Sequence, residues 1–234
     1  MTEPMEYKLF WYPGSCARMS FVALEEIGAP WELNVVDRIA DEPSYRDVNP
    51  KGKVPALVAE GRTFTENPAL LTFLARRHPE ARLLPAPESS AGQEALELMS
   101  WFAAGVHPAI TRQRIPQLFC DDPGSFESIS ARARALLEES FGLIERRLGN
   151  GPWILGEEWT IVDVYVLWLW FRATGSGMDG APYPNCIDHA GRCQERPSVA
   201  TALDREELEF RRLREDGKIP DSIPDFQAGR APIF

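Results

Sequence analysis

The chain has 234 residues, 44% of them hydrophobic, 10% aromatic and 26% charged, enough apolar material for one large or two modest cores, which excludes disorder as the default. A formal net charge of −10 argues against nucleic acid as a partner, because neutralising phosphates takes a basic face. The first six residues have neither the basic start nor the apolar core of a signal peptide, and the most apolar stretch, 162–171, carries Asp163 and is too short to span a bilayer, so no membrane role is expected.

Tyr7–Trp11 is a short apolar run stopped by Pro13-Gly14, the pattern of a buried strand. Ser15 then reads as an N-cap, with Met19, Val22, Ala23 and Ile27 at helical spacing up to Gly28. Residues 31–36 alternate as a second strand, and the helix between the two makes them parallel. After a loop, Ala56–Ala59 and Arg62–Thr65 flank Glu60-Gly61, a hairpin signal. Asn67–Arg77 places Leu70, Leu71 and Leu74 on one helical face and ends in a basic pair before Pro79.

Residues 85–90, Pro-Ala-Pro-Glu-Ser-Ser, read as a linker between a domain over 1–84 and an all-helical one over 91–234. Residues 91–119 form one long helical pattern, bent near Pro108 and ended near Pro116. A helix over 125–148 opens with Ser125 as N-cap, and Thr160 with Asp163 forms a capping box before the apolar run. Two more helices follow over 185–195 and 198–214, and the Pro- and Gly-rich tail from Gly217 is expected to lie irregularly on the surface. Cys16, Cys120, Cys186 and Cys193 are too far apart for a dense disulfide framework, which suits a reducing cytoplasm.

Several residues carry possible chemistry. Cys16 at a helix start meets unpaired amides and the positive end of the macrodipole, which favour a thiolate, either its own or that of a ligand held by Ser15 or Cys16; packing of helix on strand is the other use of such a cysteine. Pro55 cannot donate to a ladder, so it marks an edge or turn, and a cis Val54-Pro55 bond would turn the Val54 backbone outward to pair with a peptide. Glu66 and Asn67, opening a helix, could receive an ammonium and a carboxylate or could simply cap. Lys53 could meet a second carboxylate. His107 could donate to a substrate or a sulfur. Cys186, His189 and Cys193 share a helix face, but without a fourth ligand nearby no metal is expected.

Lys8-Leu9-Phe10 with Pro13-Gly14-Ser15-Cys16, the run from Asn49 through Lys51-Gly52-Lys53-Val54-Pro55 to Leu57, Thr65-Glu66-Asn67, and the Thr160–Asp163 capping box together resemble the glutathione transferases, most of all the bacterial beta class. The resemblance spans nearly the whole chain. It implies an α+β thioredoxin-like N-terminal domain, βαβ-ββα, followed by an all-α C-terminal domain, assembled as a homodimer. It implies that Val54 pairs with the cysteinyl backbone of glutathione beside a cis Pro55, that Glu66 and Asn67 hold the γ-glutamyl end, and that Lys53 lies near a carboxylate. Cys16 and His107 would flank the glutathione sulfur, while Trp11, His107 and Arg112 would wall a second pocket for a small electrophile. Three positions depart from the family pattern: Trp11 for the first-strand tyrosine, Asn67 for serine, and Pro108 for lysine. The expected activity is conjugation of the glutathione thiolate to an apolar electrophile, with glutathione as co-substrate and no cofactor. A glutathione-dependent thiol reductase with Cys16 as nucleophile and a non-catalytic glutathione-binding protein are the alternatives.

Overall fold

The computed structural model describes residues 6–36 and 43–219. Strand β1 (Tyr7–Trp11) leads through helix α1 (Arg18–Ile27) to β2 (Trp31–Val35), which pairs parallel to it in the register Leu9 to Leu33. Helix α2 (Pro43–Val48) precedes the antiparallel hairpin β3 (Ala56–Ala59) and β4 (Arg62–Thr65), and helix α3 (Asn67–Arg77) closes the unit. The sheet order is β2-β1-β3-β4, a thioredoxin-like layer. Both turn residues of the hairpin have positive φ, 52° at Glu60 and 70° at Gly61, the mirror-image turn whose twist matches its strands.

A helical unit follows from α4 (Ser90–Trp101), capped by the Ser89 side chain. It continues through α5 (His107–Arg114), α6 (Phe126–Leu148), α7 (Ile161–Gly175), α8 (Pro184–Gln194) and α9 (Pro197–Glu215). The capping box is present: Asp163 accepts from the backbone N–H groups of Thr160 and Ile154, each at 2.8 Å. The tail beyond residue 219 lies outside the described residues.

Three expectations are corrected. Where a loop was expected, α2 forms; at six residues it is too short for its two inward side chains, Tyr45 and Val48, to declare a helical period. Helix α1 begins at Arg18, and Ser15 closes the preceding turn instead of capping it. Ser125 directs its hydroxyl to Asp122 and leaves α6 without a side-chain cap. The long helix runs without a gap from Ser90 to Arg114, with its irregularity where it was expected, a π-helical turn at Phe102–Val106 just before Pro108. Proline has no N–H to return to the Ala104 carbonyl, so the preceding turn widens, and α5 ends at Arg114, ahead of Pro116.

One continuous apolar core joins the sheet unit to the helices, from Leu9 and Leu70 through Phe102 to Leu169. Polar ties cross the same boundary. Arg18 on α1 is fully buried and donates twice to the fully buried Glu206 on α9, at 2.8 and 2.7 Å, with its guanidinium 4.6 Å from the Phe171 ring. The Trp168 indole donates to the Gly14 carbonyl at 3.0 Å.

A buried pair is fragile when one partner goes, because the survivor is an uncompensated charge. Glu206→Leu is expected to cost about 3–5 kcal/mol in urea unfolding, whereas Arg18→Met with Glu206→Leu recovers most of that loss. Additive losses in the double variant would show that the ion pair is not the source of the cost.

Candidate active site

A cleft of about 610 Å³ opens between the sheet unit and the helices. Lys53, Val54, Cys16, Glu66 and Asn67 line one side; His107, Thr111, Phe119 and Tyr165 line the other. The loop over 51–55 is braced from beneath, where Tyr45 and Asn49 both donate to the Lys53 carbonyl, at 2.7 and 2.5 Å. Gly52 sits at φ 61°, and a Cβ there would meet the Arg46 guanidinium at 3.1 Å, so the turn requires glycine. The Val54-Pro55 bond is cis, as the sequence suggested.

Glu66 adopts φ 67° and ψ 115° at the N-cap of α3, with no side-chain cap. Its carboxylate instead takes the Lys51 ammonium at 2.5 Å in the cleft mouth, and that ammonium also donates to Thr65 at 2.7 Å. Side-chain capping by Glu66 is thereby excluded, and its positive φ is a strained backbone for a non-glycine residue. Asn67 is buried and its side chain is already engaged: it donates to the Cys16 carbonyl at 2.9 Å and accepts from Ser20 at 3.2 Å. It ties the starts of α1 and α3 together.

Cys16 lies half-buried on the cleft floor, and its thiol donates to the Val54 carbonyl at 3.5 Å. Burial, only partly opposed by the Asn67 amide, pushes its pKa up to about 12. The expectation of a thiolate at Cys16 is therefore corrected: α1 starts two residues later, and the sulfur faces an acceptor that favours the protonated form. Ser15 does not line the cleft, since its hydroxyl donates to the Tyr12 carbonyl at 2.6 Å and accepts from the Ala17 amide at 3.3 Å.

His107 faces the cleft from α5, its ring 4.6 Å from that of Trp168. Burial, reinforced by Lys53, lowers its pKa to about 4, so the imidazole is neutral at pH 7. The other two expected pocket walls are corrected. Trp11 is fully buried on the inward face of β1 against Phe21, where strand alternation puts it with Tyr7 and Leu9. Arg112 is exposed one helical step past Thr111 and stacks 4.9 Å over Phe119, behind the wall. The Cys186, His189 and Cys193 face is structural: His189 Nε2 lies 2.9 Å from Asp163 Oδ1 and 3.6 Å from the Cys193 sulfur, joining α7 to α8 in the core.

Sequence reasoning missed Tyr165, Phe119 and the bracing Tyr45. Tyr165 had a signal, because a phenol inside an apolar helical run must aim its hydroxyl at something polar.

The model of the glutathione S-transferase N-terminal domain matches residues 14–77 and that of the C-terminal domain residues 127–192. With a two-layer fold of this kind and a cleft between its units, the chain belongs to the glutathione S-transferase family. It is 32% identical to glutathione S-transferase GstA of Escherichia coli O157:H7 over 208 residues, 86% of this chain and 99% of that one. A sphingomonad glutathione S-transferase complexed with glutathione superposes with a TM-score of 0.77 at 30% identity, over 86% of this chain and 99% of that one. A beta class enzyme of Sphingomonas chungbukensis gives 0.76 at 31%, with the same coverage. A relative at 26% identity, over 71% of this chain and 78% of its own, is the disulfide-bond oxidoreductase YfcG of Escherichia coli K12.

The raised Cys16 pKa sets the direction of its reactivity. With about 12 against an ordinary 9.0, its thiolate fraction at pH 8 is roughly a thousandth of that of a free thiol. Iodoacetamide alkylation of Cys16 in a Cys120→Ser background, followed by mass spectrometry, is expected to keep rising past pH 9. A plateau reached between pH 6 and 8 would mean that the site lowers this pKa.

Proposed function

We propose that this chain binds glutathione in the cleft and transfers its thiolate to a neutral, largely apolar electrophile. The observation that carries the reading is the convergence on one cleft of a peptide edge at Val54, a carboxylate at Glu66 that caps nothing, and a neutral sulfur floor at Cys16. The Val54 backbone would pair with the cysteinyl amide, and the γ-glutamyl ammonium would replace Lys51 on Glu66, with its carboxylate on the first-turn amides of α3. Lys53 would take the glycyl or γ-glutamyl carboxylate. Attack of the thiolate on an aryl halide forms an S–C bond and expels halide, the thiol proton having passed to solvent. The facing wall of Ala103, His107, Pro108, Thr111, Phe119 and Tyr165 carries no cation, which favours an uncharged electrophile over a second anion.

Isothermal titration with glutathione and turnover of an activated aryl chloride test this reading. Glu66→Gln is expected to weaken glutathione binding roughly 10- to 100-fold, the loss of one charge-assisted contact. Cys16→Ala is expected to retain conjugation in large part. Loss of conjugation, together with loss of glutathionyl-disulfide reduction in that variant, would instead support the reductase chemistry named in the relative YfcG, with Cys16 as nucleophile.

We also propose that the protein is a cytoplasmic homodimer. All four cysteines are unpaired, as a reducing compartment would keep them. A second cleft of about 690 Å³ runs between α3, the 85–88 segment and α4, with Arg76, Leu84, Pro87 and the 41%-exposed Leu96 along it. An apolar groove flanked by arginine suits a second copy of the chain. Leu96→Glu is expected to shift sedimentation from dimer to monomer; a wild type that sediments as a monomer would refute the assembly.

A further inference from the structure

The reading above leaves a gap at the sulfur. A bound thiolate needs donors, yet Trp11 is sealed in the core, Ser15 is spent on its own turn, and no hydrogen bond among the described residues fixes the single ring N–H of the neutral His107. The Cys16 proton points at the Val54 carbonyl. Resting on the proposed transferase function, we propose that the Tyr165 hydroxyl, from the helical unit, is the hydrogen-bond donor to the glutathione sulfur and hence a catalytic residue.

The geometry points there in three ways. Tyr165 lines the cleft together with Cys16 and Asn67, although only 1% of its surface is exposed, so its ring is core and its hydroxyl is the part that reaches the site. The ring is fixed before any ligand arrives: it meets Phe102 edge-on at 5.5 Å and Trp168 at 6.3 Å, and Trp168 is itself anchored to Gly14. Its hydroxyl makes no hydrogen bond of good geometry to an acceptor among the described residues, which leaves the O–H available, while Asn67, within hydrogen-bonding reach of it, and Cys16 both lie close enough to influence its ionisation. Burial raises its pKa far above the ordinary phenol value. The phenol therefore stays protonated and donates to an anion without surrendering its proton.

The step is balanced without further reactants. The glutathione S–H loses its proton to water, the thiolate accepts the Tyr165 O–H, and the S–C bond then forms while the electrophile's leaving group departs with its electron pair. The phenolic proton remains on oxygen throughout.

The experiment is ultraviolet absorbance of bound glutathione thiolate titrated against pH, with aryl chloride kinetics alongside, in wild type, Tyr165→Phe and a variant carrying 3-fluorotyrosine at position 165. Losing a donor to a charged acceptor is expected to raise the bound-thiol midpoint by roughly one to two pH units in Tyr165→Phe, lowering kcat/KM at pH 7 about 10- to 100-fold. The dissociation constant for S-methylglutathione, which has no ionisable thiol, is expected to stay within about twofold. Ring fluorine makes the phenol a stronger donor without changing its shape, so the midpoint is expected to fall. The fluorinated protein also keeps the test open if Tyr165→Phe misfolds. A wild-type thiolate whose midpoint is the same in both variants overturns the assignment to Tyr165 and leaves the transferase reading standing. Saturable binding with no thiolate in wild type overturns both.

Discussion

Helix α1 is the constraint on which the rest depends. From Arg18 through Leu24 every residue is buried, so it cannot be treated as an amphipathic helix lying on one surface. It is clasped by the sheet and α3 on one side and by α7 and α9 on the other. Such a helix has no solvent face to absorb a shift, and close-packed interiors transmit displacement instead of damping it. Arg18 explains how its polar start is tolerated there: Glu206 and the Phe171 face together meet a guanidinium that would otherwise be unpaired in the core. Because Cys16 stands two residues before this helix, the position of the cleft floor is set jointly by both units.

Asn67 extends the same constraint. By bonding the Cys16 carbonyl and Ser20, it couples the first turn of α1 to the first turn of α3. The sulfur floor and the Glu66 carboxylate are thus parts of one braced object. The Asn67 amide spans the gap between the two helix starts and still presents to the floor, where it biases both Cys16 and Tyr165 toward ionisation. Burial outweighs this bias at both groups.

Much of the fold was legible because its signals are local. Glu60-Gly61, Gly28 and the Thr160–Asp163 box each state a backbone conformation within four residues, and each is found as read. Cys16, Lys53, Val54, Glu66, Asn67 and His107 were legible as a set through the resemblance to the glutathione transferases, and all line one cleft. What failed depended on facing. Trp11 turns into the core from β1 and Arg112 sits one helical step from the wall, and no local rule says which neighbour turns toward a cleft. Ser15 and Cys16 compete at a helix start that moved by two residues. Tyr165 was hidden because the helix carrying it is buried almost all round, so hydrophobic periodicity gives no direction.

The cleft divides its chemistry by solvent exposure. Charge is kept at the wet mouth, where the Lys51–Glu66 pair is 49% and 68% exposed and exchange of one ammonium for another costs little desolvation. The floor holds Cys16, His107 and Tyr165 in neutral forms. A fixed charge beside the sulfur position would carry a standing desolvation cost in the empty protein. On the proposed function, neutral donors incur less and become strong only when a ligand brings its own negative sulfur into their low-dielectric surroundings. An acidic protein can in this way favour an anion at its floor without a basic patch, because the stabilisation resides in oriented hydrogen-bond donors and not in net charge.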